Sequence, residues 1–212
     1  MTTQTTRTTK YQSTKVIPLG SCAFRQPFAT SHCKFLHGYR LQAKFWFDCN
    51  ELDDNNWVVD FGGLKELKAK LEETFDHTTC IWAKDPEKPL FEFMHSKGVI
   101  DLRVFDDGVG IEMFANFCLK TANEYVDTLT KGRCWCSAVE VWEHESNSAV
   151  ANFSNYAVQP TSYSVETVPL AQEASKTPEQ TKLNCPPLHY PKTHNSFKDP
   201  FAGTSWGNNA KR

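Results

Sequence analysis

The stretch YRLQAKFWF, residues 39–47, alternates apolar and polar side chains from Tyr39 to Phe45, and Trp46 then takes a place on the otherwise polar face. A period of two predicts a β-strand with one face on a core and the other toward solvent. Downstream, LKELKAKLEETF, residues 64–75, places leucine and phenylalanine at spacings of three and four residues, which predicts an amphipathic helix. The chain therefore combines a sheet with a helix packed on it.

The same two patterns predict the rest of the sheet and a second helix. Residues 98–105 and 134–143 predict strands, and residues 111–129 predict a helix that ends near Gly132. The run over residues 15–31 contains proline and glycine, so it predicts an irregular strand at a sheet edge or with a bulge. The order strand, strand, helix, strand, helix, strand predicts an α+β fold with antiparallel pairing.

Composition divides the chain into three parts. The threonine-rich residues 1–14 predict a flexible arm, and residues 15–158 predict the folded domain. Residues 159–212 predict a weakly structured tail, because seven of the eleven prolines fall there among polar side chains. Inside the domain, residues 80–98 predict a loop with one helical turn, since two prolines interrupt them.

Charge and hydropathy exclude several classes of partner. The chain carries 23 basic and 25 acidic side chains, a formal net charge of -2, and so predicts no polybasic surface for nucleic acid or anionic lipid. No stretch approaches the roughly 18 consecutive apolar residues that a membrane helix needs, and the polar start lacks the apolar core of a signal peptide. These features predict a soluble cytoplasmic protein.

Six short motifs follow one another between Phe28 and Glu143. In chain order they are FATSH at 28–32, C-x3-HG at 33–38, VVDFGGLK at 58–65, FDH at 75–77, GIE at 110–112 and VEVWE at 139–143. No single motif is specific, but the ordered set resembles the signature of the 6-pyruvoyl- and 6-carboxytetrahydropterin synthase family. The resemblance implies the tunnelling fold (T-fold): an antiparallel four-stranded sheet with two helices on one face, completed into a barrel by oligomerisation.

The resemblance also implies roles for single residues. Cys33 is similar to the family's catalytic cysteine, and Asp76 and His77 are similar to its catalytic Asp-His pair. Glu143 is similar to the glutamate that anchors the pterin, and Glu112 resembles a substrate-binding glutamate at the start of a helix. These five residues are the predicted catalytic and substrate-binding set.

A zinc site is implied in the same way. His32 and His37 resemble two of the three histidine ligands of the family, and Tyr39 stands where the third is expected, so the motif reads HGY instead of HGH. Because two histidines alone hold zinc poorly, a third donor is needed from Tyr39, Cys22, Cys33 or another subunit. Zinc is therefore the predicted cofactor, with its third ligand left open.

The chemistry of these residue types agrees with the implied roles. A cysteine acts as a base or nucleophile through its thiolate, a carboxylate orients an imidazole for proton transfer, and a carboxylate accepts two hydrogen bonds from the amino and ring N–H groups of a pterin. Purely structural alternatives stay open: an inert Cys33, an Asp76 that caps a turn, and a Glu143 paired with a basic side chain. Arg25 and Arg40 are further candidates to receive a triphosphate.

The predicted function is that of a 6-carboxytetrahydropterin synthase-like lyase. As the resemblance implies, it would convert 7,8-dihydroneopterin triphosphate in the deazaguanine (queuosine) pathway, or carry out the related 6-pyruvoyl-tetrahydropterin synthase reaction. Its partners would be the pterin substrate and further copies of the chain in a trimer or hexamer, with active sites between subunits. Two alternatives remain: a zinc-less pterin- or purine-binding relative, and a ring-shaped scaffold that uses its tail.

Overall fold

The computed structural model describes residues 9–153 and 165–168. The strands of these residues are β1 (Tyr11–Phe24), β2 (His37–Cys49), β3 (Thr78–Trp82), β4 (Leu102–Phe105), β5 (Cys134–His144), β6 (Asn147–Asn152) and β7 (Val165–Thr167). The α-helices of these residues are α1 (Lys65–Phe75), α2 (Lys88–Ser96) and α3 (Ile111–Thr130), and 3-10 turns cover His32–Lys34 and Gly62–Leu64. The seven strands described form one sheet in the order β6-β5-β2-β1-β3-β4-β7.

The predicted α+β class is confirmed, but the predicted four-stranded antiparallel sheet is wrong. Strands β6, β5, β2 and β1 do pair antiparallel with their neighbours. Strand β3 then pairs parallel with β1, and β4 pairs parallel with β3, so the sheet is mixed. Neighbouring parallel strands need a crossover connection, and α2 provides it between β3 and β4.

Strand β1 has the bulge that its proline and glycine predict. Its register with β2 shifts between Pro18 and Gly20, which is where a proline can be tolerated because the ladder is broken. The strand nevertheless lies inside the sheet, since β2 and β3 flank it on either side. The strand is therefore bulged, and it is flanked on both sides only over Cys22–Phe24.

The main core lies between the sheet and helices α1 and α3. Alternate residues of β2 are fully buried in it, as their period of two predicts: Leu41, Ala43, Phe45 and Phe47. The apolar stripes of α1 and α3 pack on this row from one face of the sheet, as predicted. Helix α3 ends at the predicted place, with Lys131 in the left-handed region followed by Gly132.

Helix α2 lies on the opposite face of the sheet. Its Phe91 packs against Ile81, Leu102 and Val104, which alternate with the residues that enter the main core. Residues 80–98 are thus more ordered than the predicted loop, because they contain the end of β3 and a nine-residue helix. Proline is accommodated in the first turn of α2, where the missing N–H has no partner to lose.

The two predicted flexible ends each contribute a strand. Strand β1 begins at Tyr11, inside the predicted arm of residues 1–14, and β7 lies inside the predicted tail of residues 159–212. The rest of that tail lies outside the described residues. Among the residues described, no helix is both long and apolar enough to cross a membrane.

Candidate active site

The Asp76–His77 pair closes the turn between α1 and β3. Asp76 follows α1 in an extended conformation, and its Oδ1 accepts the backbone N–H of Ser21 at 3.0 Å. His77 has a φ of 58°, and its backbone N–H donates to the Ser21 carbonyl at 2.7 Å. The pair is thereby fixed to β1, with His77 Nδ1 lying 3.0 Å from Asp76 Oδ1.

Gly20 makes room for the carboxylate of Asp76. It lies at the bulge of β1 with a φ of 97°, and a Cβ added there would overlap the Asp76 side chain. Glycine alone adopts this backbone without strain and leaves the space empty. The irregularity in β1 therefore has a use, because it places Asp76 beside the strand.

Asp76 is held in its ionised form and orients His77. The hydrogen bond from the Ser21 N–H lowers the pKa of Asp76 and outweighs the opposing desolvation, and the neighbouring His77 lowers this pKa further. Because His77 Nδ1 faces Asp76, its Nε2 is the free ring nitrogen, and the side chain is 85% exposed. This geometry suits an imidazole that exchanges protons with a ligand.

His37 and Tyr39 lie at the start of β2, across from the end of β1. Their register partners are Phe24 and Cys22 respectively. The His37 ring lies 5.0 Å from the Phe24 ring and 5.5 Å from the Tyr39 ring, between centroids. The Nδ1 of His37 is 2.7 Å from the carbonyl of Phe35, so an N–H there donates to it and Nε2 is the available nitrogen.

Tyr39 lies where several predicted site residues meet. Partial burial raises the pKa of Tyr39, and the negative charges of Glu143 and Cys33 raise it further. The His144 ring is 6.1 Å from the Tyr39 ring. Tyr39 is therefore packed against the His37 and His144 rings and lies within electrostatic reach of Cys33 and Glu143.

Two open depressions flank this meeting point. One has a volume of about 390 Å³ and is lined by Tyr39 and His77, among others. The second has a volume of about 290 Å³ and is lined by Glu143 and His144. Arg40 lines both depressions, and the predicted residues His77 and Glu143 each line one of them. Their volumes lie at the lower end of ligand sites.

Cys33 is carried by the 3-10 turn between β1 and β2. Its backbone N–H donates to Ser31 Oγ at 3.3 Å, and its carbonyl accepts the N–H of Gln26 at 2.9 Å. Of the cysteines that the structure describes, Cys33 is partly exposed and the others are buried. Exposure is what a reactive cysteine needs.

Glu112 lies in the first turn of α3, two residues after Gly110. Gln26 joins the start of α3 to the Cys33 turn, because its Nε2 donates to the Val109 carbonyl at 2.6 Å while its backbone bonds to Cys33. The substrate-binding role of Glu112 stays a prediction.

The predicted zinc ligands do not form a complete donor set. Among the described residues, no three His, Cys, Asp or Glu side chains are placed to share a metal ion. His32 is exposed in the 3-10 turn, and the Cys22 thiol is buried with its Sγ 3.4 Å from that of Cys80. His37 Nε2 and the Tyr39 hydroxyl alone do not fit a zinc site. Zinc stays a prediction.

Sequence reasoning missed three residues of the site. Phe24 supports the rings of His37 and Tyr39, His144 contacts Tyr39, and Gln26 ties the Cys33 turn to α3. The hairpin register of β1 and β2 would have identified Phe24. No signal in the sequence marks Gln26, because its contact depends on a residue more than eighty positions away.

The class of this protein is defined by two features: an α+β sheet with two helices on one face, and ionisable side chains near the α1–β3 turn, where β1 and β5 end and β2 begins. The chain belongs to the 6-pyruvoyl tetrahydropterin synthase family, whose profile matches residues 9–153. The predicted family is confirmed.

Individual relatives agree with this assignment. A 6-carboxy-5,6,7,8-tetrahydropterin synthase from Rickettsia conorii is 38% identical over 56 residues, which are 26% of this chain and 41% of that protein. An enzyme of the same name from Helicobacter pylori is 24% identical over 120 residues, or 55% of this chain and 58% of that protein. The matches thus span about half of these relatives or less.

A solved structure shows the same fold. The crystal structure of an uncharacterized protein from Wolinella succinogenes superposes with a TM-score of 0.56 at 18% identity. The superposition covers 68% of this chain and 98% of that one. At this identity the likeness concerns the fold and not the reaction.

Proposed function

We propose that this chain is a lyase of the 6-carboxytetrahydropterin synthase type that acts on 7,8-dihydroneopterin triphosphate in the deazaguanine pathway. The observation that carries the proposal is the depression that Tyr39 shares with His77, with the charges of Cys33 and Glu143 within electrostatic reach of Tyr39. Family membership and the names of the relatives support the same reaction class.

Glu143 is the proposed anchor of the pterin ring. It follows the buried row of Val139 and Val141 on β5 and lies partly exposed at the rim of its depression. A carboxylate there can accept hydrogen bonds from the exocyclic amino group and the adjacent ring N–H, a bidentate arrangement that fixes the ring in its plane. Arg40, which lines both depressions, is the proposed contact for the triphosphate.

Cys33 and His77 are the proposed proton carriers. Asp76 holds Nδ1 of His77, so Nε2 gives or takes a proton at the pterin side chain. The Cys33 sulfur would transfer a proton at the adjacent carbon of that side chain. In the proposed reaction the substrate and one water give 6-carboxytetrahydropterin, acetaldehyde and triphosphate. The related pyruvoyl reaction stops after loss of triphosphate.

The proposed assembly is a homo-oligomer in the cytoplasm, a trimer or a hexamer, with the sheet closed into a barrel across subunits. The pairing within the described residues supports it, because the edge of β1 opposite β2 is paired over Cys22–Phe24 alone. The first half of β1 and the outer side of β6 are therefore free to pair with another strand.

A second candidate function is a zinc-less member that binds a pterin or purine without converting it. The specific observation in its favour is Tyr39 at the position of the third expected zinc ligand, with no three-donor cluster among the described residues. In both candidate functions Glu143 binds the ring of the ligand. Only in the first is the ligand converted to a product.

Mass spectrometry of the products separates these candidates. The pure chain is incubated with 7,8-dihydroneopterin triphosphate, with and without added zinc, and its metal content is measured in parallel. Release of acetaldehyde beside a carboxylated pterin supports the proposed lyase, and a pyruvoyl product supports the related reaction. Unchanged substrate that still binds tightly supports the second candidate and contradicts the first.

A further inference from the structure

Cys33 sits in a loop that is anchored on one distant segment of the chain. The Cys33 loop comprises residues 25–36. The anchoring segment comprises residues 82–109, which run from the last residue of β3 through α2 and β4 to just before α3. Phe28 of the loop packs edge-on against Trp82, with 5.6 Å between ring centroids. The position of Cys33 thus depends on side chains that belong to another part of the sheet.

The strongest anchor is a two-pronged ion pair between Arg25 and Asp85. Arg25 donates from Nε to Asp85 Oδ2 at 2.8 Å and from Nη2 to Oδ1 at 2.6 Å. The Asp85 side chain is fully buried, and that of Arg25 is 19% exposed. Asp85 Oδ1 also accepts the backbone N–H of Glu87 at 2.8 Å, so each carboxylate oxygen is satisfied.

The remaining nitrogen of Arg25 reaches the residue next to Cys33. Its Nη1 donates to the Lys34 carbonyl at 3.3 Å. The following residue, Gln26, donates its backbone N–H to the Cys33 carbonyl. Arg25 and Gln26 therefore hold the two carbonyls on the C-terminal side of the cysteine, and Asp85 holds Arg25.

Removal of either partner leaves the other charge poorly solvated. Burial opposes ionisation of Asp85, but the hydrogen bonds from Arg25 and from the Glu87 N–H outweigh it and lower the pKa of Asp85. A planar guanidinium is needed to reach both carboxylate oxygens and a carbonyl together, which an ammonium cannot do. The pair is thus specific in geometry as well as in charge.

We propose that Arg25 and Asp85 are positioning residues for Cys33, holding its loop so that the thiol stays at the pterin side chain. The Arg25 side chain is taken up by Asp85 and by the Lys34 carbonyl, so both residues act on Cys33 through its loop. The inference rests on the proposed function for its effect on turnover, but its effect on the exposure of Cys33 is independent of any reaction.

The experiment compares D85N and R25K with a matched control, D101N. Asp101 also pairs with a buried arginine, Arg103, but that arginine bonds to the carbonyl of Glu73 in α1 and not to the Cys33 loop. Alkylation of Cys33 by iodoacetamide in the folded full chain is followed by peptide mass spectrometry. Steady-state rates with 7,8-dihydroneopterin triphosphate are measured on the same samples.

The expected result is a rise of about tenfold in the alkylation rate of Cys33 in D85N and R25K, equivalent to about 1.4 kcal/mol of lost local order. Misplacement of a catalytic group by such a loosening lowers kcat by about 100-fold, with a much smaller change in KM. In D101N both quantities stay at the wild-type values.

Unchanged Cys33 alkylation in folded D85N and R25K would overturn the inference, as would an equal change in D101N. An inactive wild-type chain would refute the proposed function, while the alkylation rates still decide the positioning role. If D85N fails to fold, the result for R25K tests the inference. R25K keeps the positive charge beside Asp85 and removes only the two-pronged hydrogen bonding of the guanidinium.

Discussion

The helical side of the sheet and the Cys33 loop are held by different forces. On the helical side, α1 and α3 bury continuous apolar rows of β1, β2 and β5, with phenylalanines in edge-on contact such as Phe75 on Phe114 at 5.1 Å. The Cys33 loop (residues 25–36) has few buried apolar residues and is held by an ion pair, a glutamine and single ring contacts.

This difference in contacts predicts that the helical side determines stability and that the Cys33 loop determines activity. Apolar burial is tolerant of small movements and supplies most of the free energy of folding. Directional polar contacts supply less energy but fix one geometry, which is what a catalytic cysteine requires. Changes on the helical side should therefore act on unfolding, and changes in the loop should act on turnover.

The largest expected effect is on turnover, from C33A. Loss of a proton-transfer group lowers kcat by about 10² to 10⁴-fold. Because Cys33 is partly exposed and outside the core, urea unfolding should match that of the wild type. Near-wild-type turnover in C33A would contradict a catalytic role for Cys33.

On the helical side, Leu71→Ala should lower the free energy of unfolding by about 2 to 5 kcal/mol, because Leu71 is fully buried and leaves a cavity. Urea unfolding measures the change. Leu129→Ala is the control, since Leu129 is 43% exposed and should cost about 1 kcal/mol or less. Turnover per folded L71A molecule should stay unchanged. A large loss of turnover would contradict the assignment of stability to the helical side and of activity to the Cys33 loop.

Gly20→Ala, at the bulge of β1, should lower both stability and activity. The new Cβ would overlap the Asp76 carboxylate and strain a backbone with φ 97°, so both stability and the orientation of His77 should suffer, by about 1 to 3 kcal/mol in unfolding. Gly98→Ala is the matched control, because Gly98 also has a positive φ of 69° but nothing lies near its added Cβ. G98A should lose stability from strain alone and keep full activity; equal activity losses in both would exclude the displacement of Asp76 as the cause.

The smallest expected effect is on acid stability. The pKa of Asp85 is lower in the folded chain than the ordinary value of about 3.9 in the unfolded chain. The ion pair therefore contributes its full stability above that value and loses it as the pH falls through the lowered pKa. Urea unfolding between pH 7 and pH 2 should show a shallower fall in D85N than in the wild type. Parallel curves for the two proteins would contradict this account of Asp85.

The helical side of the sheet could be predicted from the sequence because its periods are clean. Strand β2 alternates apolar and polar residues from Tyr39 to Phe45, and the stripes of α1 and α3 keep helical spacing over their lengths. Strand β3 could not be predicted in this way, since TTCIW is buried on both faces and shows no alternation. Helix α2 has only nine residues, with a proline in its first turn.

The site residues were selected from the order of the motifs and not from their geometry. Cys33 and Glu143 lie within electrostatic reach of Tyr39, and His77 lines a depression with it, while the roles of these residues stay predictions. The anchors of the Cys33 loop could not be predicted, because the contact of Arg25 with Asp85 spans sixty positions and depends on the crossover between parallel strands. Isolated charges in a sequence are read by default as surface residues.

Binding of 7,8-dihydroneopterin triphosphate to the inactive C33A chain, measured by isothermal titration calorimetry, tests the shared site most directly. C33A should bind the compound at one site per chain, and C33A/E143Q should bind it about 100-fold more weakly, because two hydrogen bonds to a charged carboxylate are lost. C33A/E140Q, altered at a glutamate of the same strand that bonds to Ser148, should bind like C33A. Equal affinities in C33A and C33A/E143Q, or no binding to C33A at all, would contradict a pterin site at Glu143.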